Sequence, residues 1–301
     1  MNWLVIALLS AAITAAVSIT DKTIIYKYAK STLSLLIIMG VLGTINGAVI
    51  LIISGPPDHP DYMALTAALC SGVLFGFSGA ILIKVLFTEE VSRAIPVQQT
   101  APIFTALLAL FLLSESISPL QWLGIFGAVL GSALISLNIE AGFGRLLLHR
   151  SFYLLVLSAL LFGIGNVLVK VALSELSVIH VHGMRMFSMG VIFLLIGLRS
   201  QSWKEFKSYF SERNPILLLC MANEFFSANL GLLTLSWALS IGPASLVTAV
   251  FATRALFVVI FSIFIASLWH RALGEELSTT NVLVKVFSTI LIVAGVVAIA
   301  M

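Results

Sequence analysis

Apolar stretches of nearly constant length, separated by short polar connections, run through the whole of this chain. Crossing a bilayer core about 30 Å thick takes about 20 apolar residues in a helix, and runs of that size occur ten times. They are Trp3 to Thr20, Leu33 to Ile53, Met63 to Phe87, Ser92 to Leu113, Pro119 to Leu137, Phe152 to Leu173, Val178 to Leu198, Pro215 to Leu239, Pro243 to Leu268 and Thr280 to Met301. Pro119, Pro215 and Pro243 suit a first helical position, where a missing N–H costs nothing, and Ser118 and Asn214 suit the N-cap. The longest polar stretch, Arg199 to Asn214, is too short and too charged to fold alone and reads as an amphipathic connection.

Composition agrees. Of the 301 residues 60% are hydrophobic and only 10% charged, and the mean hydropathy is +1.14, which places the chain among polytopic membrane proteins. The net charge of +3 is spread through short connections, so it speaks for topology and not for nucleic acid. Cys70 and Cys220 both lie in apolar runs, where a thiol behaves as a small hydrophobe. The first run offers a small-residue cleavage pattern at Ala16, Val17 and Ser18 but has no basic n-region. It is expected to stay as a span.

The chain also looks duplicated. "ESISPLQ" (Glu115 to Gln121) and "EELSTTN" (Glu275 to Asn281) share a spacing of acid, serine and amide, with five spans belonging to each copy. Ser10 to Lys22 aligns with Ser158 to Lys170, both ending in lysine. An odd number of spans per copy forces the copies into opposite orientations, the inverted repeat from which secondary transporters build a central site. The expected fold is therefore an all-α polytopic membrane protein, ten transmembrane helices as two inverted five-helix repeats, residues 1–140 and 151–301. Three Gly-x-x-x-Gly pairs, at Gly43 and Gly47, Gly72 and Gly76, and Gly127 and Gly131, are suited to close helix packing.

Within Arg93 to Leu137 the chain resembles the EamA-like branch of the drug/metabolite transporter superfamily. The resemblance rests on a proline in the fourth span (Pro102), an apolar stretch, a glutamate at its end (Glu115), then Ser, Gln and a glycine-rich fifth span. With Ala80 to Ser92 it covers about a quarter of the chain. In the second copy Ala255 stands where the first has Pro102, and Ser267 to Gly274 lengthens the approach to the glutamates. The resemblance implies a ten-helix carrier working by alternating access, usually exporting amino acids, nucleosides, sugars or drugs. It implies no cofactor and no enzymatic activity.

Arg254 falls near the middle of the ninth span, where insertion costs about 2.5–3.5 kcal/mol unless the group has a partner or a task. The nearest candidate partner is Glu224 on the eighth span, about 13 Å deep by helical rise. Cys220, Asn223, Glu224, Ser227 and Gly231 follow helical spacing and form a polar stripe. Gln98, Gln99 and Pro102 sit at the matching level of the fourth span. With Asn166 and Asn46 they are expected to line one central cavity. Two readings stay open: a structural ion pair with amides knitting helices together, or a binding site in which Arg254 holds a carboxylate and Glu224 an amine or a coupling proton. Lys22 and Lys170 are read as snorkelling to the interface. Glu115, Glu275 and Glu276 are read as helix caps or partners of Lys84, with gating or coupling by Glu115 and Lys84 the alternative.

Of the 16 Lys and Arg, thirteen fall in odd-numbered connections, Lys170 and Arg185 are counted to the even-numbered connections and Arg254 lies within a span, which points to both termini outside; relatives in the resembled family usually have them inside. The expected location is the cytoplasmic membrane of a prokaryote. Expected partners are a small-molecule substrate, the bilayer, a proton or counter-substrate and a second copy in a homodimer, without nucleic acid. The function read is secondary transport, as an exporter, of a small polar or zwitterionic metabolite; the alternative is a flippase or exporter of a lipid-like compound. Three rivals are weaker. "GFSG" (Gly76 to Gly79) matches the Gly-x-Ser-Gly of rhomboid proteases, but Ser78 would need His180 or His182 as base; His180 and His182 lack further ligands for a metal; and a membrane scaffold or receptor would inherit the same charges.

Overall fold

The computed structural model describes residues 2–57, 61–89, 91–134, 150–268 and 280–301. All regular structure among them is helical: α1 (Trp3–Lys27), α2 (Thr32–Ser54), α3 (Tyr62–Leu86), α4 (Val91–Gln98), α5 (Ala101–Leu112), α6 (Pro119–Leu134), α7 (Arg150–Ala172), α8 (Val178–Gly197), α9 (Ser200–Ser211), α10 (Ile216–Ala222), α11 (Asn229–Ile241), α12 (Ala244–Phe251), α13 (Arg254–Leu268) and α14 (Thr280–Ala300). Among the described residues seven continuous or nearly continuous helices are long and apolar enough to cross a membrane: α1, α2, α3, α7, α8, the run Ile216–Ile241 and the run Ala244–Ser262. Shorter apolar helices are Ala101–Leu112, Pro119–Leu134 and Phe287–Ile299. This is an all-α membrane protein.

Local chemistry marks the helix starts. Asp61 accepts from the amides of Met63 and Ala64, and the Ser31 hydroxyl accepts from that of Ser34. Before α6, Ser118 Oγ accepts from the Gln121 amide while Gln121 Oε1 accepts from the Ser118 amide, a reciprocal capping box. Asn214 Oδ1 accepts from Ile216, and Pro215 and Pro243 stand one residue ahead of their helices. The connection from Arg199 to Asn214 is largely the amphipathic helix α9. It is docked on the start of α2: Tyr209 Oη accepts from the Lys30 amide at 2.7 Å, and Lys30 Nζ pairs with Glu212.

Packing repeats itself along the chain. Helices α2 and α8 pack on one another, as do α6 and α14; α1 packs on α11 and α13, and α7 packs on α3, α4 and α5. Individual bonds recur in the same pattern. Ser10 on α1 donates to the Gly231 carbonyl of α11 at 2.8 Å, and Ser158 on α7 donates to the Ser78 carbonyl of α3 at 2.9 Å. Lys22 donates to the Leu86 and Glu89 carbonyls at the end of α3, and Lys170 to those of Leu239 and Gly242 at the end of α11. Both lysines thus cap helix C-termini, where a cation meets the negative end of the dipole and unpaired carbonyls, instead of snorkelling outward. Lys22 belongs to α1 itself, which runs seven residues beyond Thr20, the expected end of the first span.

Three helices depart from regularity, all next to the same space. Between α4 and α5 the chain breaks at Gln99 and Thr100, and between α12 and α13 at Ala252 and Thr253. The expected single fourth and ninth spans are therefore each two half-helices. Pro102 contributes in the first break because it has no N–H for the carbonyl one turn earlier. The second has no proline, yet the local bonds are the same: the Thr100 amide and hydroxyl both donate to Val97, and those of Thr253 both donate to Val250. A threonine bonding back to the carbonyl three residues earlier competes with the regular ladder, and both breaks contain one. The Ala252 carbonyl also accepts from Ser132 of α6 at 3.1 Å, as backbone at membrane depth requires. The third departure is a single π-helical turn, Asn223–Ala228, between α10 and α11.

The glycine pairs lie at helix crossings. A Cβ on Gly47 would meet the Phe187 backbone nitrogen of α8 at 2.3 Å, whereas one on Gly43 would come no closer than 3.4 Å to Gly190. Gly47→Ala is expected to lower stability by about 1–3 kcal/mol through overpacking against backbone. Gly43→Ala should be neutral or slightly stabilising, since alanine is the better helix former by about 1 kcal/mol. Thermal melts of the two variants in detergent, side by side, check the pair.

Candidate functional site

Helix α1 carries hydroxyls on one face: Ser10, Thr14 and Ser18 follow at one-turn intervals, and Asp21 comes a turn further on. Thr14 donates to the Ser10 carbonyl and Ser18 to that of Thr14, so these two hydroxyls are satisfied within the helix and keep an oxygen for another donor. Arg254, the first residue of α13, uses that oxygen. Its Nε and Nη2 both donate to Ser18 Oγ, at 3.1 and 2.5 Å. Asn223 of the π turn donates to Asp21 Oδ1 at 2.8 Å.

These groups surround a cavity of about 120 Å³ lined by Asp21, Glu224, Arg254, Thr14, Gln98 and Ser78, with the rings of Phe75, Phe162 and Phe251 among its apolar lining. Arg254 and Glu224 are 9% and 5% exposed; Asp21 is partly exposed. Asp21 acts electrostatically on both Arg254 and Glu224. Among the described residues no carboxylate comes within 4 Å of the Arg254 guanidinium. The expected direct pair with Glu224 is not made. The two charges share a cavity, and the arginine is held by a neutral hydroxyl.

The aromatic rings form a ladder. Phe75 and Phe162 have centroids 4.8 Å apart, Phe162 and Phe251 are 5.7 Å apart and stacked, and the Arg254 guanidinium lies 6.0 Å from the Phe251 centroid. At the other end Arg185 of α8 lies 4.9 Å from Phe75. Arg185 is fully buried and donates to the Leu232 carbonyl at 2.6 Å. It sits beside His182, whose Nε2 bonds Asn229, which in turn bonds Asn46. This second polar cluster was hidden in the sequence reading, which placed Arg185 in a connection and Asn46 at the central cavity.

The other sequence candidates divide. Gln98 lines the cavity and donates to Ser158 Oγ at 3.1 Å, with no partner for Oε1 among the described residues. Gln99 and Asn166 are buried, with amide atoms that find no partner among the described residues, but do not line it. On the polar stripe, Cys220, Asn223 and Glu224 are buried; the next buried positions are Ala228, which ends the π turn, and Gly231, and Ser227 is half-exposed. Glu115 is a cap: Oε1 accepts from the Ala244 amide at 2.6 Å, and Oε2 from the Ser245 amide and hydroxyl, at the N-terminus of α12. It does not meet Lys84, which lines a separate peripheral groove. Glu275 and Glu276 lie outside the described residues. Ser78 bonds Ser158, while His180 bonds Ser177 and the Gly55 carbonyl. No serine–histidine pair forms at the "GFSG" segment, and His180 and His182 have different partners.

Asp21 is the charged residue of the cavity that sequence reasoning missed. Its signal was the helical spacing of Ser10, Thr14 and Ser18, which continues to it.

The family model of the EamA-like transporter family matches the chain twice, over residues 1–137 and 149–301. The chain belongs to the EamA-like transporter family. It is a membrane transporter, and the family is not one of enzymes. No curated protein matches the sequence. Among solved structures 28 chains match; one protein crystal structure aligns with a TM-score of 0.70 over 98% of this chain and 94% of its own, at 13% identity, which shows a shared fold.

Replacing Glu115 by alanine removes three bonds to an anionic acceptor at a helix start. The transporter should lose about 2 kcal/mol of stability, with ligand affinity at the cavity unchanged. Melting and ligand titration of Glu115→Ala together separate capping from gating.

Proposed function

We propose that this transporter is a secondary carrier of a small zwitterionic metabolite such as an amino acid, moved by alternating access between two oppositely oriented five-helix copies that make ten spans. The observation that carries the reading is the charge layout of the cavity. A guanidinium at the start of a half-helix stands on one wall, and two carboxylates, Asp21 and Glu224, stand on the others. Arg254 adds its charge to the positive end of the α13 dipole and has donors in a geometry that suits a carboxylate. Ser18 is a neutral acceptor, so a carboxylate entering the cavity is a better partner for the arginine than the one it holds. Two acids facing the same space favour a cation between them, which a substrate amine or a coupling proton supplies.

Size supports a small cargo. The cavity, at about 120 Å³, is well below the roughly 300–1,000 Å³ of drug-sized sites. The paired helix breaks support movement, since half-helices meeting at a central site are the arrangement that lets one set of helices rock against another. Charged groups and a modest volume argue against the lipid-like alternative, which needs a larger apolar space open between helices.

The test is a thermal-shift series on the purified transporter with zwitterionic amino acids beside matched amines and carboxylic acids that lack one charge. Zwitterions are expected to raise the melting temperature of the wild type and not of Arg254→Gln, whose folded yield should stay near normal because no direct ion pair is broken. Uptake into proteoliposomes should fall at least tenfold in the variant. Stabilisation by no zwitterion, with Arg254→Gln melting far lower, would make the arginine structural and overturn the reading.

A further inference from the structure

Outside the central site, helices α2 and α3 both pack on α8 but touch each other little. Between them lies a groove of about 420 Å³. Its lining is apolar along most of its length, with Leu33 and Leu36 from α2, Phe77, Ala80 and Ile81 from α3, and Ile196 from α8. Phe77 is exposed, and Ile81 and Ile196 are partly so. The groove opens on the outside of the bundle, and α3 separates it from the central cavity, to which Ser78, Gly79, Leu82 and Ile83 contribute from the other face of the same helix.

Among the described residues only two charged ones line this groove, Lys84 and Arg199. Lys84 is in the last turn of α3, and Arg199 is the N-cap of α9, just beyond the end of α8. Thr32, the first residue of α2, lies with them. Three helix ends therefore place both cations at one rim. Both are exposed, and neither has a carboxylate within 4 Å among the described residues. The same end of the bundle carries Lys27 and Lys30 and, on the docked amphipathic helix α9, the exposed Lys204 and Lys207. A cationic rim above an apolar slot, on the surface that lipid covers, is complementary to one class of molecule: a lipid with an anionic headgroup and an extended chain.

We infer that the groove between α2 and α3 is a binding site for an anionic phospholipid, whose headgroup phosphate lies between Lys84 and Arg199 and whose acyl chain runs along Leu36, Ile81 and Ile196. The basic end of the bundle is the end that the positive-inside rule assigns to the cytoplasmic leaflet, where anionic lipids concentrate. The lipid would bridge α3 to the α8–α9 corner at a place where α2 and α3 do not hold each other. This site is independent of the substrate proposed for the central cavity.

Native mass spectrometry of the purified transporter, titrated with phosphatidylglycerol or with phosphatidylcholine of the same chains, tests the site. Phosphatidylglycerol should be retained by the wild type in preference to phosphatidylcholine. Lys84→Gln and Arg199→Gln should each weaken its binding about fivefold, and the double variant about twentyfold or more, from about 1 kcal/mol per interfacial cation. Ile81→Trp, which fills the slot and keeps both charges, should weaken it as well. Lys204→Gln with Lys207→Gln, which touches neither wall, should leave it within about twofold, well short of the effect of a lining cation. Equal retention of the two lipids, or unchanged retention in both the double variant and Ile81→Trp, would overturn the inference. So would displacement of phosphatidylglycerol by equimolar inorganic phosphate, which would make the rim a free-anion site.

Discussion

A guanidinium inside a bilayer has to be answered by something, and the layout of this transporter follows from how Arg254 is answered. Stabilising it with a carboxylate at contact distance would satisfy the charge and close the site. Ser18 supports it instead with one neutral oxygen, while Asp21 acts from across a cavity that Glu224 also lines. The opposite charges are close enough to make the arginine tolerable and far enough apart to leave room between them. That compromise explains why the breaks, the π turn and the hydroxyl face of α1 meet at one place. Each supplies polar groups, from side chains or from backbone, at a depth where lipid supplies none.

The same economy appears in the backbone. Half-helices are unfavourable in a membrane unless each freed carbonyl finds a donor. Thr100 and Thr253 serve their own breaks by bonding three residues back, and Ser132 reaches across from α6 to Ala252. The break in α12–α13 thus stands without a proline. The cost is met by short polar side chains that would look incidental in the sequence.

Much of the fold was legible because lipid imposes a length: runs of about 20 apolar residues located the helices, and capping residues such as Ser118 and Asn214 located several of their starts. Cavity-lining residues were legible where a polar or charged side chain interrupted a run, as Arg254, Glu224 and Gln98 do. Asp21 escaped because hydropathy falls at Thr20 while the helix continues to Lys27, a continuation carried by tertiary contacts such as the Lys22 cap. Arg185 escaped for the opposite reason. It follows closely on two histidines and looks like part of a connection, yet packing against Phe75 and the Leu232 carbonyl keeps it buried. Partners across the bundle, such as Ser18 for Arg254, leave no local trace at all.

What the two copies share and what they do not share divides structure from chemistry. The recurring bonds are uncharged or distant from the cavity: Ser10 and Ser158 to a neighbouring helix backbone, Lys22 and Lys170 to helix C-termini, Thr100 and Thr253 at the breaks. The charges at the cavity do not recur. At the position in the first break that corresponds to Arg254 stands Ala101; beside Lys170, where Asp21 flanks Lys22, stands Val169; and α3, the counterpart of the helix bearing Glu224, has no acidic residue in its span. Under the alternating access proposed above, a scaffold opening to either side would need matched joints, and the joints are the features that recur. A site for the proposed zwitterion would need unlike walls, and the charges lie at positions where the two copies differ. Changes at the matched positions should therefore act on stability and on the balance between conformations, and changes at the unmatched ones on affinity.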